Sequence, residues 1–377
     1  MKWKDGQASE ITLIGLTLFS ILIFYVAEQT AQLERQPHFD KKLQAAKLAL
    51  VAREAIKNYT QTLGVKIDIQ NDPYRTGLIG QERTPITSDR GIVTSKILAT
   101  NPNYAAVFVD MLLKAKVKKG NTVAVGMTGS LPGWNISFLA ACAALELKPI
   151  VISSVGASDW GANSPALTWL DMERVLSERG IIPFKSVAAS VGGGADNGRG
   201  LSPEGRELLL DAIHRNNVSL IDESLLEDNI VKRLAIYDTI AAGQPIACYI
   251  NIGGGIASIG GTQNAKLINP GLSEHLAMKN FPVRAVIVRM AERGTPVINL
   301  LNVEKIAARY DFPIEVGEKE PDFGEGVLFF KNKYSITSTA ILTFILVLVL
   351  FVVIRIDVKH YLFKKPVSKQ PTSEILS

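Results

Sequence analysis

A chain of 377 residues with 47% hydrophobic and 20% charged side chains can bury a sizeable core, which excludes a disordered or low-complexity protein. Its formal charge of +5 suggests a polyanion binder, but Lys2 and Lys4 are balanced by Asp5 and Glu10, and most of the excess sits at the other end, in Arg355, Lys359, Lys364, Lys365 and Lys369 against Asp357 and Glu374. The rest of the chain is close to neutral, so the charge reads as membrane topology and no nucleic-acid partner is expected.

Residues 1–10 form a short polar tail. Residues 11–28 then carry a run from Ile11 to Ala27 without a charge, long enough for a membrane helix. A cleaved signal is the alternative, but Asp5 and Glu10 are unusual in a signal, and no small-x-small cleavage site follows before YVAEQTAQLERQ. The second span, 334–354, contains ILTFILVLVLFVVI, too long and apolar for a core strand. The basic tail 355–377 marks the cytoplasmic side, although Lys331 and Lys333 pull weakly the other way. Two spans then place both termini inside and the residues between them outside the cytoplasm. The lipid bilayer is the first expected partner.

Between the spans, residues 29–71 read as a helical stalk, with Leu43, Ala46, Leu50 and Ile56 at near-helical spacing and Pro37 as an early break. Residues 72–333 read as one extracytoplasmic domain. It opens with a surface loop, Asp72 to Gly91, and a helix over NYAAVFVDMLLKAKV. NTVAVGM, KPIVISSVG, IPFKSVAAS, VSLI and PIACYINIG then read as strands, with helices between them. Ser164 and Pro165 open one helix and Ser202 and Pro203 another. RAVIVRMAERG and TPVINLLNVEKIAARYD add a helix and a final strand–helix pair. The alternation predicts an α/β fold: a central Rossmann-like, mostly parallel sheet flanked by an N-terminal and a C-terminal transmembrane helix.

Two cysteines, Cys142 and Cys248, do not make a disulfide framework; they read as buried thiols, with a single bridge as the alternative. His38, His214, His275 and His360 lack metal-ligand spacing, so no metal site is expected.

In an open α/β sheet, ligands bind beyond the carboxyl ends of the strands. Four Gly-rich segments fall there. GMTGSLPGWN offers Thr128, Gly129 and Ser130, with backbone donors for an anion or carboxylate. SSVGASDWGANSP offers Ser154, Asp159, Trp160 and Asn163. SVGGGADNGRGLSP offers Asp196, and NIGGGIASIGGTQN offers Gly253, Gly254 and Gly255. The plainer readings are a tight turn for the first, a packing lid at Trp160 for the second, and exposed or mobile Gly-rich loops for the other two. Because NTVAVGM and KPIVISSVG are joined by one helix, Gly126–Gly133 and Ser154–Asn163 are expected to face each other across adjacent strand ends. Asp159 would then meet an ammonium group and Trp160 would form a wall. No nucleophile–base–orienter triad can be assigned, and no catalytic residue is named. Enzyme, binding component and structural scaffold all remain open on these residues.

The run VAVGMTGSLPGWNISFLAACAALELKPIVISSVGASDWGANSPALTWLDMERVL, preceded by TNPNYAAVFVDMLLKAKVKKG, resembles the poly-γ-glutamate system protein family. SSVGASDWGAN and TWLDMERVL are its most specific stretches. The resemblance implies an accessory membrane protein of bacterial poly-γ-glutamate biosynthesis or export, at the cell surface, where that polymer forms a capsule or is secreted. It implies other membrane proteins of the system, and poly-γ-glutamate or glutamate, as partners. It carries no catalytic residues over. The chain lacks the P-loop expected of the ATP-dependent ligase of such systems. A hydrolase or transferase acting on the polymer, or a scaffold for the synthase, is the alternative.

Overall fold

The computed structural model describes residues 10–65 and 67–355, so the predicted tails fall almost wholly outside the described residues. The chain divides into two compact units. The smaller contains the helices Glu10–Gln29 and Ile336–Arg355 and an antiparallel pair of strands, Gln32–Arg35 with Phe330–Lys333. Both helices are long and apolar enough to cross a membrane, over Thr12–Gln29 and Ile336–Val353. Their side chains fit lipid better than water: Leu18, Phe24, Ile341, Phe344 and Phe351 are all exposed.

The larger unit, residues 36–329, is a mixed α/β domain around a seven-stranded sheet. Numbered among themselves, the sheet strands are β1 (Thr122–Thr128), β2 (Lys148–Ser154), β3 (Ser186–Ser190), β4 (Ser219–Leu220), β5 (Ile246–Ile252), β6 (Gly271–Ser273) and β7 (Val297–Leu300). Their order across the sheet is β6-β7-β5-β1-β2-β3-β4, and all pairings are parallel except β6 with β7. The chain winds outward from β1 to β4 and then returns on the Leu226–Ala241 helix to place β5 on the other side of β1. The loops after β1 and β5 therefore leave in opposite directions, which opens a crevice between them.

Helices cover both faces because β1 is apolar on both: Val123, Ala124, Val125 and Met127 are all buried. On one side the Pro132–Ala144 helix is buried almost all round, against the Phe39–Thr62 and Tyr104–Lys114 helices. Trp134 meets Tyr104 and Phe108 edge-on there, at centroid distances of 5.2 and 5.7 Å. On the other side Ile230, Leu234 and Tyr237 pack with Val286, Ile287 and Met290.

Several expectations are revised. The segment read as a stalk that packs on the domain does pack there and goes further, contributing core: Ala45, Ala46, Ala49, Ala52 and Ile56 of the Phe39–Thr62 helix are buried. The stripe is mostly alanine, whose small side chain lets helices approach closely but scores weakly as a hydrophobic pattern. The Asp72–Gly91 segment is not a plain surface loop. Asp72 is buried and accepts backbone N–H bonds from Thr76 and Gly77 at 2.9 and 2.7 Å, while Leu78 and Ile86 enter the core. Ser164 and Pro165 sit in a small hairpin pairing Asn163–Ser164 with Leu167–Thr168, and the helix starts at Trp169. Thr168 caps it: its backbone N–H donates to the Asp171 carboxylate at 2.7 Å. Pro183 precedes β3, which begins only at Ser186, since proline cannot donate to a ladder. Cys142 and Cys248 are free and buried, and burial pushes both thiols up.

Candidate functional site

β1, β2, β3 and β5 all end at one edge of the sheet, and a cleft of about 840 Å³ lies over those ends. All four Gly-rich segments reach it. Thr128 and Ser130 follow β1; Ser154, Gly156 and Ser158 follow β2; Gly193, Gly194 and Asp196 follow β3; Gly253, Gly254 and Gly255 follow β5. The loops after β1 and β2 lie side by side because β1 and β2 pair in register, Thr128 opposite Ser154. Two further walls come from segments outside the four Gly-rich ones, the first beginning in the Asp72–Gly91 loop. One is Ser88–Ile92 with the Val93–Leu98 helix, the other Leu301–Lys305 after β7.

Close backbone approach is required at Gly253. Its φ is +88°, and a Cβ there would lie 2.2 Å from Thr128 Oγ1. Gly254, by contrast, is exposed and a Cβ would meet nothing. One glycine thus lets the β1 and β5 loops touch, while its neighbour leaves its backbone open to the cleft.

The floor on the β2–β3 side is a closed polar network. Ser154 Oγ donates to Asp196 Oδ1 at 2.7 Å and Ser190 Oγ to Asp196 Oδ2 at 2.8 Å. Arg233 Nη2 donates to Asp196 Oδ2 at 2.7 Å and to Ser190 Oγ at 2.7 Å. Its Nε donates to Asn229 Oδ1 at 2.9 Å. Asp196 and Arg233 are each 1% exposed, so both charges are withdrawn from water and satisfied by each other and by hydroxyls.

The floor on the β1 side is different. Lys96 is 6% exposed, yet its Nζ has no carboxylate oxygen within 4 Å among the described residues. It donates to the Ser130 carbonyl and, at 2.6 Å, to Ser158 Oγ. Ser158 is itself positioned, since its backbone N–H donates to Ser130 Oγ at 3.0 Å. Burial pushes the Lys96 ammonium from 10.5 down to about 7, against the upward pull of Asp159 and Asp89.

Gly129, Asp159, Trp160 and Asn163 lie behind the lining. A Cβ at Gly129 would meet the Val155 carbonyl oxygen at 2.8 Å, so this glycine serves loop packing. Asp159 Oδ2 accepts from the Gly91 backbone at 3.2 Å, and its Oδ1 lies 3.7 Å from Arg83. Trp160 adopts φ 55° and ties its backbone N–H to the Gln81 carbonyl at 2.8 Å, instead of walling the cleft. Asn163 pins the same segment: it accepts from the Gln81 N–H at 3.1 Å and donates to Gln81 O at 2.7 Å. These residues read as ligand-facing because the Asp72–Gly91 segment, which they hold in place, is invisible to local patterning. Asp159 thus docks that segment through Oδ2, while its Oδ1 accepts no hydrogen bond among the described residues.

The rim is cationic. Arg90, Lys266 and Lys305 line the cleft and are exposed, while Asp89 is the exposed acid beside them. Glu304 is half-buried and accepts from Ser95 Oγ. Among the described residues no cluster of His, Cys, Asp or Glu is placed to hold a metal ion. No family model, curated protein or solved structure matches the chain.

Proposed function

We propose that this chain is a membrane-anchored accessory component of bacterial poly-γ-glutamate synthesis or export, whose Rossmann-like domain binds a carboxylate ligand or the polymer itself in the strand-end cleft. The observation that carries the reading is the pairing of a cationic rim, Arg90, Lys266 and Lys305, with Gly-rich loops over the ends of β1 and β5. Exposed cations attract a polyanion without demanding a single register, and open glycine backbone gives donors to individual carboxylates. The sequence resemblance in the 100–120 and 123–176 stretches supplies the polymer's identity.

In this reading the two apolar helices are membrane spans, both tails are cytoplasmic, and the domain faces outward, where other membrane proteins of the system meet it. The basic residues after Arg355 support that orientation. A cysteine introduced at exposed Glu207 tests it, because Cys142 and Cys248 are buried and give little background. Labelling of intact cells by an impermeant maleimide is the expected result; labelling only after lysis would reverse the topology.

The binding claim is tested with the purified full-length protein and fluorescent poly-γ-glutamate. An exposed ion pair is worth up to about 1 kcal/mol, so replacing Arg90, Lys266 and Lys305 together by alanine should weaken binding about tenfold or more. The loss should shrink as salt rises. Wild-type protein that fails to bind, or a triple variant that binds unchanged, would contradict the reading. In cells, deleting the gene should alter the amount or chain length of extracellular polymer.

A further inference from the structure

The binding role does not explain the placement of Lys96 in the cleft. A lysine at this depth is ordinarily paired with a carboxylate, because an unpaired buried ammonium costs several kcal/mol. Here the nearest partners are a hydroxyl, Ser158 Oγ at 2.6 Å, and the Ser130 carbonyl. The hydroxyl belongs to a residue 8% exposed that still lines the cleft, held in place through its backbone by Ser130 Oγ. Hydroxyl and amine therefore meet within hydrogen-bond distance among the residues that line the cleft.

We infer that Ser158 and Lys96 form a serine–lysine dyad that cleaves an amide bond in an acidic chain lying in the cleft. The acidity of that chain rests on the binding reading; the dyad itself rests on the geometry of Lys96 and Ser158. Burial supports it by bringing the lysine to about 7, so that a substantial fraction is neutral amine at neutral pH and able to accept a proton. The steps balance with water as the only co-reactant. Lys96 Nζ takes the Ser158 hydroxyl proton as Oγ bonds to the amide carbon. Lys96 then gives that proton to the departing nitrogen as the C–N bond breaks, leaving an ester on Ser158. A water molecule, deprotonated by Lys96, attacks the ester; the C–Oγ bond breaks, Ser158 regains its proton, and a carboxylic acid product leaves.

The charges facing Lys96 are few and named. Asp159 and Asp89 both favour its protonated form; Asp159 is partly engaged by Arg83 at 3.7 Å and by the Gly91 N–H. Glu304, across the cleft wall, is engaged by Ser95.

The test uses the full-length protein, a fluorophosphonate that modifies activated serines, and mass spectrometry to locate the adduct. Modification is expected at Ser158, with a rate that rises with pH through a midpoint near 7. Ser158→Ala should abolish it, and Lys96→Arg, which keeps the positive charge but cannot act as a base, should slow it about 10²-fold or more. A fluorescent γ-linked oligoglutamate should also be shortened by wild type and left intact by Ser158→Ala. A protein that binds the polymer yet shows no adduct on Ser158 at any pH would overturn the dyad and leave the binding reading standing. A rate unaffected by Lys96→Arg would overturn it equally. An adduct on Ser158 in a protein that does not bind the polymer would support the dyad and remove the acidic substrate.

Discussion

Two buried cations lie under the same cleft and are treated in opposite ways. Arg233, 1% exposed, meets Asp196 at 2.7 Å with Ser154 and Ser190 completing the network. Lys96, 6% exposed, meets only a hydroxyl and a carbonyl. A guanidinium holds its proton at any working pH, so burying it demands a counter-charge, and that pair then fixes the Gly193–Asp196 loop to the sheet edge. An ammonium can give its proton up, so it tolerates burial without a partner and arrives near neutrality ready to exchange one. The contrast separates a charge used for architecture from a charge used for chemistry.

The largest expected effect breaks the architectural half. Asp196→Ala leaves Arg233 buried and alone, which should cost about 3–5 kcal/mol of stability in chemical denaturation; a loss below about 1 kcal/mol would mean that the network holds nothing together. Gly253→Ala comes next. It forces a side chain into the left-handed region against Thr128, at a cost of about 1–3 kcal/mol, and should also weaken polymer binding by parting the β1 and β5 loops. Unchanged stability and binding would show that the loops need not touch.

A stability titration sharpens the chemical half. The folded-state value of Lys96, about 7, lies below the ordinary lysine value of about 10.4. Between those values the unfolded chain binds more protons, so stability rises with pH across that window. Below about 7 the full cost of burying the ammonium is present. Wild type should therefore gain stability relative to Lys96→Met as pH is raised from 7 toward 10, and parallel curves would mean that Lys96 titrates normally. The smallest effect is expected from Asp159→Asn. Losing the negative charge that favours protonated Lys96 should move the midpoint of Ser158 modification below that of wild type, with little change in stability. A midpoint that stays put would detach Asp159 from the site.

Much of this arrangement was legible in the sequence, and the missing parts have a common cause. Apolar runs such as NTVAVGM and PIACYINIG announce strands buried on both faces; β5 lies within the second, and β1 overlaps the first and ends one residue beyond it. The Gly-rich segments that follow them line the cleft, as do Thr128, Ser130, Ser154 and Asp196. Lys96 was not legible, because VTSKIL is a six-residue helix without amphipathic signal, and its lysine reads as a solvated surface charge. Only folding carries that helix under the β1 loop. Asp159, Trp160 and Asn163 misled for the converse reason. Their polarity suits a ligand, but Asp159 Oδ2, the Trp160 backbone and the Asn163 side chain are engaged by backbone groups from Gly80, Gln81 and Gly91, about 70 to 80 positions away in the chain, while Asp159 Oδ1 accepts no hydrogen bond among the described residues. Arg233 was hidden in an ordinary charged helix, and only the chain's return across the sheet on Leu226–Ala241 brings it to Asp196.

The ionisation of Lys96 tests the account most directly. Competitive acetylation of the full-length protein across a pH series, with peptide mass spectrometry reading each lysine separately, reports it against the exposed lysines Lys118, Lys232 and Lys266 as internal standards. Lys96 reactivity is expected to reach half its limit near pH 7. A midpoint for Lys96 near the ordinary lysine value of about 10.4 would contradict this.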